Sequence, residues 1–195
     1  MEFKKIQLNG FKSFAEKTNF LIEDGLTGIV GPNGCGKSNI VESLRWVMGE
    51  TSAKSMRGSG MEDVIFSGTS NKASKNIAEV SIEVENKDKE GPIQFRELEQ
   101  IQVRRKIEKD RGSKFYINDK EVRARDAQMF FADLSTGAHS PSMISQGRIG
   151  ALVTAKPTDR RAILEEAAGI SGLHVRRHEA ELRLGAAENL SLIHI

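Results

Sequence analysis

Cysteine is almost absent: Cys35 stands alone among 195 residues. One thiol can form neither an internal disulfide nor a cysteine-built zinc site, and a reducing cytosol tolerates this pattern. Tryptophan and tyrosine occur once each, as Trp46 and Tyr116, which leaves little material for a broad aromatic recognition surface. No apolar run approaches the roughly 20 residues of a membrane span. The opening Met-Glu-Phe-Lys-Lys has no apolar stretch behind it resembling a signal peptide. These absences point to a cytoplasmic chain with no membrane partner.

What is present is a core-forming share of hydrophobic residues, 38%, under a heavily charged surface, 29%. The length fits one domain, or one domain with an appendage. The net charge of +2 says nothing about partners, but its distribution does. Arg104–Arg125 holds nine basic residues against four acidic ones. Such a stretch can attract phosphate backbones; a solvated strand pair explains it equally well.

Alternation and turn signals predict strands over 3–8, 18–22, 26–30, 63–66, 77–84, 101–107 and 114–117. Turns are expected at Asn9-Gly10, Asp24-Gly25 and Asn118-Asp119. Ile40, Val41, Leu44, Val47 and Met48 share one face of a helix starting near Lys37. Further helices are expected over 123–134 and from Pro157 to about Ala168. Residues 49–62, 68–75 and 135–140 read as loop. A heptad register can be drawn through Leu173, Arg177, Ala180, Leu184 and Ala187, but it is short and has a charge in one core slot. No internal repeat is visible.

The chemistry is concentrated in Gly31-Pro32-Asn33-Gly34-Cys35-Gly36-Lys37-Ser38, followed by Asn39. It matches G-x-x-x-x-G-K-[ST] between an expected strand and an expected helix, the setting that separates a P-loop from a chance match. Gly31, Gly34 and Gly36 allow the backbone to curl so that N–H groups point at phosphate oxygens. The following helix offers its positive dipole end to the same phosphates. Lys37 supplies a mobile charge for the β- and γ-phosphates, and Ser38 a hydroxyl for Mg²⁺. The reading is an ATP·Mg²⁺ site.

Hydrolysis also needs a metal-binding acid and a group that orients water. The usual apolar strand ending in Asp-Glu is missing. Ala162-Ile-Leu-Glu165-Glu166 ends in acids but lies in a helical pattern. The chain therefore reads as part of an active site.

Several further segments resemble the structural-maintenance-of-chromosomes (SMC) family, the single-chain bacterial form in particular. They are Lys5-Ile-Gln-Leu-Asn-Gly-Phe-Lys-Ser-Phe14, the phosphate loop through Asn39, Glu42-Ser-Leu-Arg-Trp-Val-Met-Gly-Glu50, Lys54-Ser-Met-Arg-Gly58, Ile144-Ser-Gln-Gly-Arg-Ile149 and Arg160-Arg-Ala-Ile-Leu-Glu-Glu-Ala-Ala-Gly-Ile170. The resemblance runs from residue 1 to about residue 190. It implies an α/β fold: the N-terminal lobe of an ABC-type P-loop ATPase head, a mixed sheet with an antiparallel β-subdomain, leading into a coiled-coil helix. Residues 1–170 would form half of the head and 171–195 the start of the arm.

The family builds its head from both ends of a long chain. The other end supplies the signature motif and the Asp-Glu strand, and a coiled coil and a dimerising hinge lie between. The resemblance implies ATP hydrolysis by paired heads acting on DNA, kleisin-type accessory subunits and a place on the nucleoid. It assigns Lys37 and Gln146 to catalysis, with Ser38 and Gln146 on Mg²⁺. It makes Arg57 the arginine-loop residue that links DNA to the ATPase cycle. Lys12, Arg104 and Arg105 are added candidates for DNA backbone contact. Leu134-Ser-Thr-Gly137 mimics the ABC signature but precedes Gln146, the wrong order for the family, and is rejected.

The tail, Leu190-Ser-Leu-Ile-His-Ile195, departs from the charged helix that the family continues, and the expectation is a truncated or misread gene end, or a fragment. An exposed apolar face is then expected where the other half would pack. Two further readings remain open: an ATPase of another coiled-coil DNA-repair family, and a non-catalytic DNA-binding module with a relic P-loop. A small P-loop kinase would need a lid and a second acid that are not apparent.

Overall fold

The computed structural model describes residues 1–87, 89, 92–134, 137, 143, 150, 153–168, 177 and 180–188. They fall into two units, Met1–His139 and Ser140–Ile195.

The first unit is organised by alternation. β1 (Glu2–Asn9), β2 (Thr18–Leu21), β3 (Ile77–Glu85), β4 (Gln100–Glu108), β5 (Gly112–Ile117) and β6 (Lys120–Val122) form one sheet in the order β2-β1-β3-β4-β5-β6. Every described pairing is antiparallel. Alternate residues face inward in register: Ile6, Ile82, Val103 and Ile117 form one cross-strand row, and Leu8, Val80, Arg105, Phe115 and Val122 the next. The apolar members of these rows on β1, β3, β4 and β5 are buried. Burying each such side chain stabilises by about 1.5–3 kcal/mol.

Two helices cover this face. α1 (Lys37–Val47) contributes Ile40, Trp46 and Val47 to the core, and α2 (Ala124–Asp133) contributes Ala127, Phe130 and Phe131. Phe130 stacks edge-on against both Phe95 and Phe131. The Asp126 carboxylate accepts a 3.2 Å bond from the Arg123 N–H, which satisfies a donor at the start of α2. Between β3 and β4, buried Asn86 donates to the carbonyls of Arg96 (3.1 Å) and Leu98 (3.0 Å), pinning that connection.

Two expectations fail. Leu26–Val30 is not a strand: it pairs with nothing among the described residues, Leu26 is 100% exposed and Val30 94%. A strand needs a neighbour for its backbone groups, and both edges of β1 are already taken by β2 and β3. Residues 63–66 are also not a strand. Met61–Val64 curls into a 3-10 turn because the Asp63 carboxylate accepts the N–H groups of Ser59 (2.6 Å) and Gly60 (3.0 Å). Only Ile65 makes a bridge, to Phe11. A second 3-10 turn, Lys54–Met56, lies in the stretch read as loop. β6 was not anticipated; it follows from the turn at Asn118 (φ 46°) and Asp119 (φ 62°), the left-handed pair that a two-residue hairpin uses.

In the second unit, α3 (Pro157–Ala167) matches the expected helix, with an Arg161–Glu165 pair one turn apart at 2.8 Å. Residues 180–188 are also helical, and Arg177 pairs with Glu181 at 3.0 Å. Leu173 of the heptad register lies outside the described residues.

Candidate functional site

The phosphate loop begins where Leu26–Val30 ends, and α1 holds its far side. Gly34 (φ 82°) and Gly36 (φ 96°) are left-handed, a conformation that side chains resist. A Cβ at Gly36 would lie 2.5 Å from Ser13 Oγ, so the loop packs against the turn after β1 with no room for one. Gly36 also stands at the N-cap of α1 and gives its free N–H groups no side-chain acceptor, and the first turn contains no acid. The Asn39 N–H is taken by the Gly36 carbonyl at 2.9 Å, and no side chain caps the N–H groups before it at the positive end of the helix dipole.

Lys37 folds back over the loop. Its Nζ donates to the carbonyls of Gly31 and Pro32, both at 2.6 Å, and approaches Cys35 Sγ at 3.7 Å. Anionic oxygens would compete with these two neutral carbonyls for the ammonium. Ser38 is exposed beside it, as are Pro32, Asn33 and Cys35. Asn39 is tied inward: its Nδ2 donates to Ser13 Oγ at 2.9 Å. Gly31, Gly34 and Gly36, a lysine and a serine hydroxyl thus lie together in one exposed turn, the residue types that a polyphosphate with a divalent cation calls for. Among the described residues no cluster of histidine, cysteine and acids could hold a metal by itself.

The far end of α1 is locked by a residue first read as a surface contact. Arg105 is 3% exposed. Its Nη1 donates to the carbonyls of Trp46 and Glu50, both at 2.7 Å, and its Nε to Ser113 Oγ at 2.7 Å. The guanidinium also lies between the rings of Trp46 and Phe115, at 4.5 and 4.6 Å from their centroids. Burial pushes its pKa down to about 10, partly offset by the charge of Glu50; it stays protonated at neutral pH. Arg105 is therefore corrected from a DNA contact to the anchor of α1. The alternation Ile101, Val103, Arg105, Ile107 already placed it inward. At the same corner Gly49 (φ 105°) lies under Gln128, whose Nε2 donates to its carbonyl at 2.8 Å.

The other basic candidates separate. Arg104, on the outer face, pairs with Glu79 (3.3 Å) and Asp119 (3.1 Å) and lies over Tyr116. Lys114 pairs with Glu121 and Arg111 with Glu108, so Arg104, Arg111 and Lys114 of the basic stretch are paired with nearby acids. Lys12 and Arg57 converge on the same carboxylate, Glu42 of α1. Lys12 Nζ also donates to the Met56 carbonyl, and Arg57 Nη2 to Asn39 Oδ1 at 3.3 Å. The sequence reading passed over Glu42; an acid one turn before Trp46 on a largely buried helix was the available signal. Gln146 lies outside the described residues, as do Ser135 and Thr136 of the rejected signature-like stretch.

The family model for the RecF/RecN/SMC N terminal domain matches residues 2–148. A relative from Cereibacter sphaeroides, "Chromosome partition protein Smc", is 57% identical over 96% of this chain. One of the same name from Clostridium kluyveri is 45% identical over the whole of it. The chain spans 16% of the length of each. Among solved structures, an Smc head bound to the C-winged helix domain of ScpA matches with a TM-score of 0.81 at 31% identity, over 88% of this chain and 52% of that one. An Smc head with an extended coiled coil bound to the C-terminal domain of ScpA, from Pyrococcus furiosus, matches with 0.79 at 30% identity, over 96% and 46%.

Proposed function

The chain belongs to the RecF/RecN/SMC N-terminal-domain family, and from that premise we propose that it is the ATP-binding part of an SMC ATPase head acting on DNA in chromosome organisation and segregation. The observation that carries this reading is Lys37 folded over a glycine loop whose helix presents uncapped N–H groups. Bound ATP·Mg²⁺ supplies the γ-phosphoryl group and the cation that neutralises its charge. This chain's residues would hold it: backbone N–H groups of Gly31 and of Asn33 to Lys37, with the Lys37 ammonium, would take the phosphates and Ser38 Oγ the cation, while Asn39 keeps the first turn of α1 against Ser13. Gln146 is proposed as the second contact to the cation.

No Asp-Glu pair follows the loop in this sequence, which supports hydrolysis only after the other end of the whole protein completes the head. The exposed apolar residues Leu26, Ile29 and Val30 are where that part would pack. The division at residue 170 into head and arm, a homodimer through heads and hinge, a kleisin-type subunit, DNA as partner and a cytoplasmic, nucleoid location belong to the same proposal. Among the described residues no helix is long and apolar enough to cross a membrane.

The test is ATP turnover by the chain alone and with the C-terminal head segment of the whole protein. Binding without turnover, followed by turnover on complementation, is expected. Hydrolysis by the isolated chain at the complemented rate contradicts the reading.

A further inference from the structure

Glu42 sits five residues after Lys37 on α1 and is 8% exposed. Two cations reach it from separate loops: Lys12, largely buried, and Arg57, whose side chain is 59% exposed. Both stand on left-handed backbone, Lys12 at φ 47° and Arg57 at φ 54°. Non-glycine residues are strained there and persist only where their surroundings hold them. The strain at Lys12 is explained by burial, because its ammonium is enclosed by Glu42 and the Met56 carbonyl. That at Arg57 is explained by the turn it closes, where the Arg57 N–H donates to the Lys54 carbonyl and the Gly58 N–H to the Ala53 carbonyl, both at 3.0 Å; the exposed guanidinium is not what holds the backbone there.

A second line of contacts leads from the same guanidinium to the phosphate loop. Arg57 donates to Asn39, Asn39 to Ser13, and Ser13 Oγ fills the space above Gly36. Lys37 and Glu42 stand on one helix, α1, five residues apart. A carboxylate and a phosphate present the same planar pair of acceptors to a guanidinium.

We propose that Glu42 is an internal latch: it holds Arg57 Nη2 against the P-loop helix, and an external phosphate that binds the guanidinium through that nitrogen must displace it. This deepens the proposed function and rests on the arginine-loop role that the family resemblance gives Arg57, read as a phosphate contact. Two sources carry that chemistry, the diester backbone of DNA and the polyphosphate of ATP. In either case the competent fraction of Arg57 scales the apparent affinity. Glu42 is a positioning residue; it touches no phosphate itself.

The test uses the full 195-residue chain as wild type, Glu42→Gln, Arg57→Ala and the double variant. Each is titrated separately with a labelled DNA duplex and with a fluorescent ATP analogue plus Mg²⁺, over a range of salt. Glu42→Gln is expected to tighten one of the two ligands by about 3- to 10-fold. If that ligand is the duplex, its log–log salt dependence steepens by about one unit, the mark of one added phosphate contact. The double variant loses the gain. A gain confined to the duplex identifies DNA as the displacing phosphate, and one confined to ATP identifies the nucleotide. Unchanged or weaker binding of both ligands by a Glu42→Gln chain that melts like wild type overturns the latch. Should Glu42→Gln melt too low to assay, Glu42→Asp keeps the charge beside Lys12 but shortens its reach; the same gain at smaller size is expected, and none overturns the latch. If Arg57→Ala changes neither ligand, the reading of Arg57 has failed; if it weakens one while Glu42→Gln changes nothing, that reading stands and the latch alone has failed.

Discussion

Val80, Ile82 and Val84 on β3 and Leu26, Ile29 and Val30 before the phosphate loop are comparable in sequence: short, apolar and β-prone. In the structure they diverge. The first three are essentially inaccessible, between α1 and the neighbouring strands, while Leu26 and Val30 are almost wholly exposed. Hydrophobicity is the same on both sides, so the difference lies in partners: β3 has a strand on each side, and 26–30 has none among the described residues. Stability therefore resides in the sheet and its two helices. The proposed chemistry resides in a loop held by the turn after β1 and by α1, whose far end is fixed through Arg105.

Four changes sharpen or break this contrast. Phe131→Ala, on the buried side, is expected to lower unfolding free energy by about 3–5 kcal/mol in a urea titration. Arg105→Ala follows at about 3 kcal/mol, because the carbonyls of Trp46 and Glu50 lose a charged donor, and it should also weaken ATP binding by loosening α1. A bulky maleimide on exposed Cys35 should weaken ATP binding by at least about tenfold, roughly 1.4 kcal/mol, with the melting temperature unchanged. Val30→Ser should leave the stability of this chain within about 0.5 kcal/mol; a loss as large as that at Phe131 would dissolve the comparison.

A smaller effect concerns the 3-10 turn after Gly60. Hydrogen bonds from the Gly60 N–H first, then from Ser59, hold the Asp63 carboxyl below the usual aspartate range. A lowered folded pKa means that its contribution is complete above the ordinary value of about 3.9 and is lost as pH falls through the lower folded value. Carboxyl NMR shifts should show Asp63 still ionised where exposed aspartates have protonated.

Legibility followed periodicity and motif. The alternation of β3 and β4, the face of α1 and the Gly31–Ser38 spacing were readable because each is a local pattern with a local cause. Residues 26–30 misled because a strand signal carries no information about whether a neighbour is present to receive it. Residues 63–66 misled because one carboxylate, Asp63, captured the backbone N–H groups. Arg105 was counted with a basic run when its position in the alternation already turned it inward; charge was weighed before register. The meeting of Lys12, Glu42 and Arg57 joins three distant stretches, and no spacing rule announces it.

The central claim is that the loop on α1 is a nucleotide site in this chain. Isothermal titration of ATP with Mg²⁺ into the wild-type chain and into Lys37→Ala tests it most directly. The account predicts saturable one-site binding by the wild type and a loss of about 100-fold or more in the variant, roughly 2.7 kcal/mol, with both proteins melting at the same temperature. Equal affinity in the two, or no binding by a folded wild-type chain, would contradict it.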